Sequence, residues 1–202
     1  MTLISALTAV RLFKEKGVKF VTKTDVMRLF GFKTSNTAYK FLQRQEKNGI
    51  IKRIVAGKYL VDGSPINDFL LANVAVSPSY LSLESALNFY GILPQFPYAF
   101  TSITPGRNTN FELNSKIFEY FHLSGDLFWG YIKNKDFLIA TPEKAILDTL
   151  YFCFKGLRRT NIDEWDFSSV NKSTLKKYLM IFSLKKGFGN YVSGLKILSS
   201  LT

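Results

Sequence analysis

The first sixty-three residues constrain the fold most strongly. Over residues 3–16, Ile4, Leu7, Leu12 and Phe13 predict the apolar stripe of a helix, with Val10 near its edge and Gly17 as its stop. Val18-Lys19-Phe20-Val21 reads as a short extended segment. Thr22-Lys23-Thr24-Asp25 offers cap residues for a second helix through Phe30, with Val26, Leu29 and Phe30 inward and Gly31 as the turn. Thr34 or Ser35 caps a third helix that runs to about Lys47. Ala38, Phe41 and Leu42 face inward on it, with Gln45 one turn further on. Asn36, Tyr39, Lys40, Gln43 and Arg44 face outward. Asn48-Gly49 is a strong stop, and residues 50–61 supply two short strands around Ala56-Gly57.

Charge singles out the same stretch. Residues 1–63 hold 13 Lys/Arg against 4 Asp/Glu, a net of +9 out of +12 for the whole 202-residue chain. The sequence of helix, helix-turn-helix and basic hairpin is the pattern of a winged helix-turn-helix, and a basic module of this kind attracts nucleic acid. A helix of about four turns fits the major groove, and a basic hairpin can lie across neighbouring backbone. Ser35, Asn36, Tyr39 and Lys40 are the candidate base readers. Lys33, Arg44, Lys52, Arg53 and Lys58 are the candidate phosphate contacts, and Thr34, Ser35 and Thr37 at the helix N-terminus can donate to phosphate. A lone exposed lysine or arginine is more often simply solvated, so the weight lies in the set. RNA fits less well, because there is no RNP-like aromatic strand and no GXXG clamp.

Asp62-Gly63-Ser64-Pro65 reads as a boundary, giving domains 1–63 and 64–202. Pro65 can start a linker helix over 66–74, and Ser82, with Ser85 at the N3 position, caps another. Candidate strands follow at 98–103, 110–113, 116–122, 128–133 and 137–140. Aromatic residues occupy both parities of several, which predicts one face against helices and the other against a partner or second layer. Pro142 opens a helix over 142–154 with Ile146, Leu150 and Cys153 as its stripe. A last helical region covers 172–183, and the tail from Gly187 to Thr202 has room for a short helix. The fold class expected is α+β, a winged helix-turn-helix followed by a mixed α/β C-terminal domain.

Catalysis finds little support. Cys153 and His122 are the single cysteine and histidine, so a disulfide within the chain and a cysteine-rich metal site are excluded. Cys153 reads as a buried inert thiol. Glu143 and Asp148 lie five apart, about 500° around a helix, and do not share a tight face. Glu143 suits a helix start, and Asp148 can pair with Arg158 or Arg159 in a folding contact. No Walker loop, dinucleotide fingerprint or zinc signature is present, and the acidic Asp163-Glu164-Trp165-Asp166 reads as a solvated loop. No catalytic residue, cofactor or metal is expected. No apolar run reaches the roughly 20 residues that span a bilayer. With no signal-peptide pattern at the N-terminus, the expected location is cytoplasmic.

Several blocks, in order, resemble the AbiEi-type antitoxins, transcriptional regulators of abortive-infection (viral defence) systems. In the first domain they are Thr37-Ala38-Tyr39-Lys40-Phe41-Leu42, Asn48-Gly49-Ile50-Ile51-Lys52-Arg53-Ile54 and Gly57-Lys58-Tyr59-Leu60. In the second they are Tyr80-Leu81-Ser82-Leu83-Glu84-Ser85-Ala86-Leu87, Tyr90-Gly91, Phe128-Trp129-Gly130 and Ile139-Ala140-Thr141-Pro142-Glu143-Lys144-Ala145-Ile146-Leu147-Asp148. The resemblance implies a repressor binding repeats in double-stranded DNA at its own promoter. It also implies a nucleotidyltransferase toxin countered without a stable complex, an arrangement known as a type IV toxin–antitoxin system. A monomer or weak dimer is expected on DNA. A protein-interaction adaptor, or a stand-alone regulator with no toxin partner, stays open as an alternative.

Overall fold

The computed structural model describes residues 4–195. The chain divides into two compact units, Met1–Asn67 and Asp68–Thr202, a few residues beyond the expected boundary. Mixed α and β structure runs through both. Residue 3 of the expected first helix and residues 196–202 of the tail lie outside the described residues.

The first unit contains α1 (Ala6–Glu15), β1 (Phe20–Thr22), α2 (Lys23–Phe30), α3 (Ser35–Lys47), β2 (Ile51–Val55) and β3 (Lys58–Val61). Each helix start is built from a local cap. The hydroxyl of Ser5 accepts from Thr8 N, Thr22 and Asp25 form a reciprocal capping box, and the hydroxyl of Thr34 accepts from Thr37 N. Gly31 closes α2 in the left-handed region, so the chain can reverse into α3. β3 lies between β1 and β2 in an antiparallel sheet, pairing Phe20 with Leu60 and Arg53 with Tyr59. Ala9, Phe13, Val26, Ala38, Phe41 and Leu42 fill the core with Ile51 and Tyr59 from the hairpin. Leu7 departs from its expected place: it is 84% exposed, and Val10 is exposed too. The buried line of α1 is Ala9 and Phe13, and two residues back from Ala9 is about 200° around the helix.

The second unit is a six-stranded mixed sheet in the order β6-β7-β5-β4-β9-β8. Its strands are β4 (Tyr80–Leu81), β5 (Ala99–Thr104), β6 (Thr109–Leu113), β7 (Lys116–His122), β8 (Tyr131–Asn134) and β9 (Phe137–Ala140). β4 was not expected, because two residues carry no readable alternation. The strand expected at 128–133 starts three residues later, since a 3-10 turn at Gly125–Leu127 and the left-handed Gly130 come first. The expected linker helix is α4 (Asp68–Ala75), and it belongs to the core of this unit: Leu71, Ala72 and Ala75 are buried, and Tyr120 donates its hydroxyl proton to Ala72 O at 2.7 Å. Phe118 and Tyr120 project to the α4 side, while Phe121, on the opposite parity, meets Phe152 of α6 (Pro142–Phe154). Both faces of β7 are thus covered from within the unit, which accounts for aromatics on both parities without a partner. α5 (Leu83–Phe89), α7 (Lys172–Phe182) and α8 (Phe188–Ser193) complete it. Among the described residues no helix is long and apolar enough to cross a membrane.

Candidate functional site

Two places gather the residues singled out by sequence. The first is the outward face of α3 with the β2–β3 hairpin. Ala38, Phe41, Leu42 and Gln45 are buried, and this fixes which way α3 faces. Ser35, Asn36, Tyr39, Lys40 and Gln43 are exposed, as is Lys33 in the preceding turn. Tyr39 is 51% exposed, so it does not serve the core. Thr34 and Thr37 hold each other, with one of their two hydroxyl protons left to donate. Their hydroxyls bond each other at 2.9 Å and Thr34 caps the helix, so they organise the N-terminus before any ligand arrives.

Arg44 is less exposed than the outward position expected for it. It is partly buried, it donates from Nη2 to Ile4 O at 2.9 Å, and its guanidinium lies 5.7 Å from the Phe41 ring centroid. The segment before α1 takes the guanidinium that was expected to reach outward. On the hairpin, Lys52 and Arg53 are exposed, while Lys58 is half-buried and its ammonium pKa is lowered by that burial. Tyr59, opposite Arg53, has its hydroxyl pKa raised, first by burial, then by Glu46, with Arg53 opposing and Tyr39 adding. Ile51 and Tyr59 of the hairpin pack in one core cluster with Phe41 and Leu42 of α3, so the structure brings the two elements together. Beneath them Gln45 is fully buried with neither amide atom partnered.

The second place is a buried polar cluster in the second unit. Lys144 and Asp148 lie one turn apart on α6, form a direct ion pair, and have fully buried side chains. Lys144 Nζ also donates to the Tyr80 hydroxyl at 3.0 Å and is ringed by Tyr80, Trp129 and Phe182, with centroids 5.5, 5.2 and 5.0 Å away. Asp148 Oδ2 accepts from Tyr80 at 3.0 Å and Ser82 at 2.8 Å. A Cβ on Gly130 would come within 3.0 Å of the Lys144 stem, so glycine is needed there for space as well as for its positive φ. Burial pushes the hydroxyl pKa of Tyr80 far above its ordinary value, and the Asp148 carboxylate adds to the rise.

This cluster corrects two expectations, while Glu143 stands in the first turn of α6 as expected. Asp148 pairs with Lys144, not with Arg158 or Arg159. Arg158 instead meets Glu84, and Glu119 at 3.6 Å. Ser82 makes no cap bond with its side chain: the Ser85 N–H at the N3 position donates to Thr101 Oγ1 at 3.1 Å instead, and the Ser82 hydroxyl is turned to Asp148. Glu143, also buried, accepts from Asn171 N at 2.8 Å and so ties α6 to the start of α7. Cys153 is half-buried, with its thiol pKa raised mainly by burial. His122 is exposed, and its Nδ1 lies 2.7 Å from Gly106 O. Asn161 caps a 3-10 turn at Ile162–Glu164, where a loop was expected. Among the described residues no group of His, Cys, Asp and Glu is placed to hold a metal ion.

The cluster joins the segments Tyr80–Leu87, Phe128–Gly130 and Ile139–Asp148, far apart in sequence. The sequence does not reveal it, because Asp148 can be matched with Arg158 or Arg159, whereas its partner is Lys144, one turn back on the same helix. Gln43 was recognised as outward but given no role. Its signal was the seven-residue spacing from Asn36. In comparisons with known proteins, the chain matches no family model and no curated protein.

Proposed function

We propose that residues 1–67 are a winged helix-turn-helix that binds double-stranded DNA, with α3 as the recognition helix and the β2–β3 hairpin as the wing. The observation that carries this reading is the division of α3: a buried apolar side and an exposed side of Asn36, Tyr39, Lys40 and Gln43, capped by Thr34. The net charge of +9 on residues 1–63 supports it, since phosphate attraction supplies much of the affinity of such modules. Ser35, Asn36, Tyr39 and Lys40 remain the base-reading set. Lys33, Lys52, Arg53 and Lys58 contact phosphate, and Arg44 holds the recognition helix in place. The protein acts as a transcriptional repressor of its own promoter, as a cytoplasmic antitoxin paired with a nucleotidyltransferase toxin, and without catalysis of its own. The sequence blocks supporting the antitoxin role are those that meet at Lys144.

The test is binding to a duplex covering the region upstream of the gene, at fixed salt. Lys40→Ala is expected to weaken binding about tenfold with folding unchanged. Affinity equal to that of the unaltered protein would sink this docking. Co-expression with the product of a neighbouring nucleotidyltransferase gene tests the second half of the proposal, and unrescued growth would count against it. A protein-interaction adaptor is the second reading. It is favoured by Phe96 and Tyr98, 91% and 89% exposed on the loop between α5 and β5.

A further inference from the structure

We infer that Gln43 is a base-reading residue and that Asn36, Lys40 and Gln43 together set the sequence preference of α3. They select two adenines about two to three base-pair steps apart with a guanine between them. The inference rests on the proposal that this unit binds DNA. The buried residues Ala38, Phe41, Leu42 and Gln45 define the direction of the core. At about 100° per residue, Asn36, Lys40 and Gln43 fall within about 60° of one another on the opposite side. Ser35 and Arg44 fall to either side of that line, and Arg44 is held by Ile4 O.

All three line residues are exposed. Asn36 is released from capping because Thr34 and Thr37 satisfy the helix start. A primary amide presents a donor and an acceptor in one plane, the match for N6 and N7 of adenine, whereas phosphate offers acceptors only. A lysine ammonium donates to O6 and N7 of guanine. Asn36 and Gln43, seven residues apart, differ by about 20° in direction and about 10.5 Å in height. Base pairs rise about 3.4 Å each along the duplex axis, and a helix in the groove is inclined to that axis, so the two amides address positions about two to three steps apart, with Lys40 between them.

The test is in vitro selection from a duplex library with a randomised centre, using the full chain and the Gln43→Ala and Asn36→Ala variants. Affinities are then measured for the selected duplex and for one of unselected sequence at the same salt. The unaltered protein is expected to enrich adenine at two positions about two to three steps apart. Gln43→Ala is expected to lose about 5- to 150-fold on the selected duplex and to relax one adenine position only, with unselected binding changed less than about twofold. An unchanged selected sequence in Gln43→Ala overturns the inference. So does an equal loss on both duplexes with a shallower salt dependence, which makes Gln43 a phosphate contact. If the unaltered protein binds neither duplex, the DNA-binding reading fails with it. Selective binding indifferent to Gln43 overturns this inference alone.

Discussion

Lys144 and Asp148 are a pair of opposite charges with both side chains fully buried. Removing one charge from such a pair strands the other, which costs about 3–5 kcal/mol, whereas removing both together costs far less. Lys144→Met is therefore expected to lower the urea midpoint of the second unit sharply, with Lys144→Met/Asp148→Leu recovering much of the loss. Equal midpoints for the single and double variants would mean the pair does not act as a unit. Gln45 is the opposite case. Its amide is buried and unpartnered in the first unit, so it loses solvation without regaining a bond. Gln45→Met keeps the length of the side chain and removes that deficit. A stabilisation of about 1–2 kcal/mol is expected in denaturant unfolding, and a loss of stability would point to an uncounted partner for the amide.

At the scale of elements, α3 and the hairpin divide the labour of docking, and each has its own signature. Lys52→Ala and Arg53→Ala on the hairpin are expected to lower the salt slope of DNA binding by about one each while leaving the preferred sequence alone. A changed sequence preference would move these residues from backbone to base contacts. The limits of α6 were legible in the sequence because Pro142 and the 3.6-residue period both mark them, and the same held for α2 through its cap and glycine. What was not legible is tertiary. Nothing local in Arg44 announces a bond to Ile4 O, forty residues away. Leu7 is a different case: six residues from Phe13 is about 600°, a third of a turn off its face, so Phe13 keeps the core with Ala9 and Leu7 turns outward. β4 is two residues long and exists because β5 and β9 flank it. The candidate recognition face was legible residue by residue, since a capped amphipathic helix exposes its polar side by default. The cluster at Lys144 was not, since burying a lysine is justified only by partners brought from other strands and helices.

Across the whole chain, charge and burial are distributed differently. The excess positive charge sits in the first sixty-three residues, while the most deeply buried titratable groups, Lys144, Asp148, Tyr80 and Tyr120, all belong to the second unit. This gives the second unit a distinctive response to alkali. Burial raises the hydroxyl pKa of Tyr80 and Tyr120 well beyond the ordinary range, and that of Tyr90 to about 12, with Glu143 adding to the last. Each folded value exceeds the unfolded one, near 10, so the folded chain keeps protons that the unfolded chain releases. The stability these groups contribute is complete below about pH 10 and declines as pH climbs through the folded values. Alkaline titration followed by tyrosinate absorbance is expected to show Tyr90 ionising near pH 12, with Tyr80 and Tyr120 ionising only as the second unit unfolds. Loss of near-ultraviolet circular dichroism should coincide with that final step, and Tyr120→Phe should shrink the step by one tyrosine. Complete ionisation in a single step near pH 10 with the fold intact would show that water reaches these hydroxyls, and the packing of α4 and α6 on the sheet would then be wrong.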